Sequence, residues 1–151
     1  MNSCSFFGHR DIVITNKLKA DLKSRLVNLI EKENYINFYF GEFGDFDNLA
    51  YEIITELKVI FPNIVTIYVA TDEKSLKRHR IISAKEYDKQ IVFALDFDWW
   101  YQRIYYRNVA IIKNSNFVFF YVNNTEGSGA YKALQYAKKI KVKYLNIASI
   151  T

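Results

Sequence analysis

The residues best placed to do chemistry gather around the glycines. The chain has only five, Gly8, Gly41, Gly44, Gly127 and Gly129, and each stands just after an apolar run and before a helix-like one. Glycine lets a backbone N–H come close to a bound oxyanion, and a following helix start favours negative charge. His9 and Arg10 follow Gly8. Asp45 and Asp47 follow Gly44, and Glu126 and Ser128 belong to the second glycine doublet. Arg10 suits a phosphate, and His9 can donate or accept a hydrogen bond. Asp45 and Asp47 suit either helix capping or ribose hydroxyls. Glu126 could take ribose hydroxyls or serve as an acid or base. No Walker loop and no G-x-G-x-x-G occurs, so the site is nucleotide-like in its physics and not in its standard motifs.

Arg107 stands apart from the glycines. Trp100, Ile104, Arg107 and Ile111 fall at i, i+4, i+7 and i+11, one helical stripe. An arginine on such a stripe must find an anion or carry its head out to water.

Alternating strands and helices must position these residues. Continuous apolar runs predict strands at Cys4–Phe7, Ile36–Phe40, Ile64–Ala70, Ile91–Leu95, Phe117–Val122 and Val142–Ile147. Between them, apolar residues recurring at three and four predict helices over about Thr15–Glu33, Phe46–Phe61, Asp98–Asn114 and Gly129–Ile140, with Thr15 as N-cap of the first. Thr71–Gln90 is polar, and its basic run Lys77-Arg78-His79-Arg80 reads as a solvated loop. Fully apolar strands separated by helices indicate an α/β, Rossmann-like, doubly wound and mainly parallel sheet with helices on both faces. In such a sheet the C-terminal strand ends share one edge, so all five glycines should meet along it, where open α/β sheets bind ligands.

The chain's 151 residues, half of them hydrophobic, suit one domain over 1–151 with a real core. No apolar run is long enough to span a membrane, and the start has no signal-peptide pattern, so a cytoplasmic location is expected. One cysteine excludes an intramolecular disulfide, and two histidines argue against a metal site. No cofactor is called for. The net charge of +5 and a pI near 9.2 suit nucleotides or nucleic acid. Aromatic residues make up 17% of the chain, and the cluster Trp99, Trp100, Tyr101, Tyr105, Tyr106 could be core, pocket wall or dimer face.

Four blocks, CSFFGHRD, GEFGDFDNLA, RNVAIIKNSNFVFFYV and EGSGAYKALQYAKK, together resemble the SLOG superfamily, and specifically its small stand-alone bacterial proteins whose first strand ends in G-H-R. The superfamily also takes in the LOG phosphoribohydrolases and the DNA-processing protein A group. The resemblance implies a Rossmann-like fold, homodimers, and nucleotides or nucleotide-derived signals bound at the glycine edge. It also places Arg107 in the site. The position of the LOG catalytic glutamate falls on Ala133, which cannot act as acid or base. The leading expectation is therefore a sensor or regulator that binds a nucleotide or nucleotide-derived small molecule, with an ADP-ribose-like signal as one candidate, through Gly8, His9, Arg10, Gly41, Gly44, Asp45, Asp47, Arg107, Glu126, Gly127, Ser128 and Gly129. The rival is a nucleotide N-glycosidase using Arg107 and Glu126. Nucleic-acid binding, resting on the pI and the 77–80 run, is a weaker third reading.

Overall fold

The computed structural model describes residues 2–42, 44–93, 102–124 and 128–150. Six strands form one parallel sheet: β1 (Asn2–Gly8), β2 (Tyr35–Phe40), β3 (Val65–Ala70), β4 (Lys89–Val92), β5 (Phe117–Tyr121) and β6 (Lys143–Asn146). Their order is β4-β3-β2-β1-β5-β6, and every neighbouring pair is parallel. The order reverses at β1, which pairs with both β2 and β5, so the crevice between their C-terminal ends is the topological switch point.

The helices are α1 (Asn16–Glu33), α2 (Asp45–Ile60), α3 (Glu73–Ile82), α4 (Arg103–Lys113) and α5 (Gly129–Ile140). Period-2 alternation along the strands builds a core on each face. Phe6, Phe38, Phe40 and Phe119 pack beneath α1 and α2, whereas Phe7, Val69, Val118 and Phe120 pack beneath α4 and α5. Phe6 is the hub of the first core, with ring centroids 5.4 Å from Phe40 and 5.9 Å from Phe119. Ala130, Ala133 and Ala137 let α5 lie close to its side of the sheet.

Thr15 caps α1, its Oγ1 accepting from the Leu18 N–H at 3.1 Å. The helix ends at Asn34 in the left-handed conformation, whose N–H donates to the Leu29 carbonyl. The basic run 77–80, expected as a solvated loop, is corrected: it lies within the ten-residue α3, capped by Asp72, whose Oδ1 accepts from the Ser75 N–H at 2.7 Å. Its inward face is thin, with Leu76 and His79 buried on Tyr68 and Ala70, and so it lacks the apolar rhythm that marks the other helices. Residues 94–101, including Trp99, Trp100 and Tyr101, lie outside the described residues, as do Glu126 and Gly127. Among the described residues no helix is long and apolar enough to cross a membrane.

Candidate functional site

At the switch point the C-terminal end of β1 meets the starts of α2 and α5 around a cavity of about 180 Å³. It gathers Gly8, His9 and Arg10 from the end of β1, Asp47 from α2, and Ser128, Gly129 and Ala130 from α5. Ile104 and Asn108 of α4 complete the wall. Six of the residues marked in the sequence thus line one cavity. Gly41, Gly44, Asp45 and Arg107 stand beside it and shape it.

The two helix starts are treated differently. At α2 the chain closes the N-terminus on itself: the Asp45 N–H donates to the Arg10 carbonyl at 2.8 Å, and Asp45 Oδ2 accepts from the Ile12 N–H at 3.1 Å. Gly44 makes the crossing feasible. Its φ is +90°, and a Cβ there would lie 2.6 Å from the Arg10 Cα and carbonyl oxygen. At α5, Ser128 Oγ accepts from the Tyr131 N–H at 3.1 Å and the Ser128 carbonyl accepts from the Lys132 N–H. Among the described residues nothing accepts from the N–H groups of Gly129 and Ala130. A Cβ on Gly129 would meet open space. Phe46 and Asp47 at α2 likewise have N–H groups with no acceptor among the described residues, but at α5 no other described stretch of backbone crosses the start, and Ser128, Gly129 and Ala130 line the cavity.

Asp47 is the most unusual group. It is 2% exposed, and its Oδ2 has no hydrogen-bond partner among the described residues. Burial pushes its carboxyl up to about 6, against the opposing pull of Lys85, Arg107 and the backbone N–H groups of Gly41 and Glu42. A buried carboxylate oxygen without a donor is costly, and Asp47 is among the residues that line the cavity.

Arg107 meets its burial in a third way, beyond the two that its stripe offered. It is 3% exposed, and Nη1 donates to the carbonyls of Gly41 at 3.2 Å and Val69 at 3.3 Å, at the ends of β2 and β3. Nε and Nη2 donate to Asn108 Oδ1 at 3.2 and 3.0 Å. Gly41 is needed for this packing, since a Cβ there would lie 2.9 Å from the guanidinium carbon. Because Asn108 Oδ1 is engaged by the arginine, what Asn108 offers a ligand is its amide donors. His9 ties the neighbouring loops, its N–H donating to the Tyr121 carbonyl and its Nε2 accepting from the Asn123 N–H at 3.0 Å.

The basic run holds a residue that its neighbours disguise. Whereas Lys77, Arg78 and Arg80 are exposed, His79 is buried and stacks on Tyr68 at 3.7 Å between ring centroids. His79 Nε2 lies 2.5 Å from Oε2 of Glu42, a residue held in the left-handed region at φ 58°. The clasp joins α3 to the loop that follows β2. Asn108, a polar residue four before the buried Ile112, was the readable signal for a site residue on α4, while Glu42 and His79 gave none.

No family model matches the chain, and no curated protein matches it in sequence. Solved structures do match in fold. DNA processing protein A from Helicobacter pylori, described by its single-stranded DNA binding mode, matches over 95% of this chain with a TM-score of 0.61 and 17% identity. DNA processing protein A from Streptococcus pneumoniae matches over 95% with a TM-score of 0.57 and 13% identity. The chain spans 63% and 49% of those two chains. At such identities the likeness is one of fold, and the fold is Rossmann-like.

Proposed function

We propose that the chain binds the ribose–phosphate part of a nucleotide or nucleotide-derived small molecule in the cavity between β1, α2 and α5. The observation that supports this reading is Asp47, a buried carboxylate with one oxygen lacking a donor among the described residues, which lines the same cavity as the start of α5. The phosphate sits against the N–H groups of Gly129 and Ala130, with the Arg10 side chain alongside. A sugar hydroxyl donates to Asp47. Asn108 adds a donor, and Arg107 behind it raises the local positive potential. At about 180 Å³ the cavity is smaller than the roughly 300–1,000 Å³ of whole-ligand pockets, so it holds the sugar and phosphate while the base extends past Ile104.

Two further readings compete with it, and one of them has support of its own. The fold neighbours favour nucleic acid, since one of them is described as binding single-stranded DNA. A buried carboxylate in the cavity opposes the passage of a phosphate chain through it, and so favours the small ligand there. The glycosidase reading lacks its helix carboxylate, because Ala133 is packed in the core. Asp47 is the described carboxyl nearest to that role.

Calorimetric titration with AMP, ADP-ribose, NAD and cyclic dinucleotides, each mixture then chromatographed for products, tests the proposal. Binding of a ribonucleotide that weakens at least tenfold in Asp47→Asn supports it. Release of free base would make the protein an enzyme, and silence across the panel would remove the small-ligand reading.

A further inference from the structure

The two helices on the second face of the sheet share a chemistry that the cavity does not use. Helices α4 and α5 together carry six Lys or Arg and no Asp or Glu; Arg107 is buried and Arg103 pairs with Asp72, which leaves Lys113, Lys132, Lys138 and Lys139. The α1–α2 face is mixed: α2 alone has four carboxylates and one lysine. Between α4 and α5 runs a groove of about 520 Å³ lined by Tyr105, Tyr131 and Tyr136 together with Lys132, Lys139 and Gln135. The α5 contributors fall at i, i+1, i+4, i+5 and i+8 from Tyr131, one stripe of the helix. Tyr131 and Tyr136 pack partly against the core beneath, which fixes their rings, while the two lysines are exposed. Among the described residues neither lysine pairs with a carboxylate.

We infer that this groove is a binding surface for single-stranded nucleic acid, with bases stacked on the tyrosines and phosphates along the lysine edge. Stationary rings offer π faces that any base can use, and unpaired cations meet a repeating anion. A glutamine between them can hydrogen-bond base edges. A duplex hides its base faces and cannot use the rings. An acidic peptide would use the lysines but leave the rings idle, and a flat lipid surface cannot enter a groove. The groove and the cavity share no lining residue, so either reading can fail while the other stands.

Anisotropy titrations of labelled 20-residue oligo-dT and oligo-U, at low and moderate salt, test the inference. Single strands should bind and a duplex of equal length should bind at least several-fold more weakly. Lys132→Gln with Lys139→Gln should weaken binding and flatten its salt dependence by about two phosphate contacts. Tyr136→Ala should weaken it about tenfold and Tyr136→Phe should restore it, which separates loss of a ring from loss of fold. The inference is overturned if single strands do not bind. It is equally overturned if heparin or polyglutamate displaces them as well as an unlabelled strand does, or if anionic vesicles bind while strands do not. Strand binding that ignores both the lysine pair and the tyrosine would also overturn it.

Discussion

Helices α2 and α5 start at the same edge of one sheet, the first after Gly44 and the second on Gly129, yet among the described residues only the first has another stretch of backbone lying across it. The chain spends the N-terminus of α2 on itself, through the Arg10 carbonyl and the Asp45 carboxylate. At α5, among the described residues, the Ser128 side chain and carbonyl accept the Tyr131 and Lys132 N–H groups, those of Gly129 and Ala130 have no acceptor, and both residues line the cavity. A glycine before a helix is therefore not evidence of anion binding by itself. What matters is whether another stretch of backbone already occupies the dipole's positive end.

The contrast can be broken most forcefully at Gly44. Gly44→Ala forces a side chain into a left-handed backbone against Arg10, and should cost roughly 2–4 kcal/mol in denaturant unfolding, by strain and by overpacking. An unchanged midpoint would mean that the closed start is dispensable.

Asp47 gives the next largest effect. Its folded carboxyl, raised to about 6, holds a proton that the unfolded chain releases near 3.8. Between those values the native state binds more protons, so stability rises as the pH falls from 7 to 4, and this gain is lost as the pH rises through 6. The span is worth roughly 2–3 kcal/mol. Ligand affinity should run the other way, weakening below about pH 6 as the acceptor is neutralised. Unfolding and calorimetry across pH, with Asp47→Asn as the flat control, check both slopes.

Ser128→Ala removes the side-chain cap of α5 and should cost about 1 kcal/mol, with weaker ligand binding because the start of the helix loosens. Gly129→Ala is the smallest in stability and the sharpest in meaning. With open space around it, the alanine should stabilise the fold by about 0.5 kcal/mol while crowding the ligand's phosphate. A thermal melt beside a titration would show the two effects with opposite signs, and loss of stability with unaltered binding would contradict the open start.

The frame of the fold was legible because its signals are local. Helix α5 was read to the residue, Gly129–Ile140, from the small inward residues that follow Ser128. Thr15 was readable as a cap for the same reason. Helix α3 was not legible, because it rests on the sheet through little more than Leu76 and His79, and a ten-residue helix with two inward side chains shows no periodicity. In the site, the sequence marked Asp47 without separating it from Asp45. Only the crossing of the Arg10 loop makes one a tie and the other a buried acceptor. Arg107 was visible as an anomaly, but its partners are strand-end carbonyls, and carbonyls carry no residue type that a sequence could display. The clasp between Glu42 and His79 depends on two segments meeting across 37 positions, with nothing in either to announce the other.

Arg107 also has a consequence for how the protein opens. A single side chain of α4 holds the Gly41 carbonyl just beyond β2 and the Val69 carbonyl near the end of β3, 66 and 38 positions away along the chain. Releasing either strand end takes an acceptor from a buried guanidinium, so the two ends are coupled through α4. The edge should then exchange amide hydrogens as one cooperative block with α4, while the N–H groups of Gly129 and Ala130 exchange freely. Arg107→Lys, with a single point of attachment in place of a planar fork, should split that block into separately exchanging pieces.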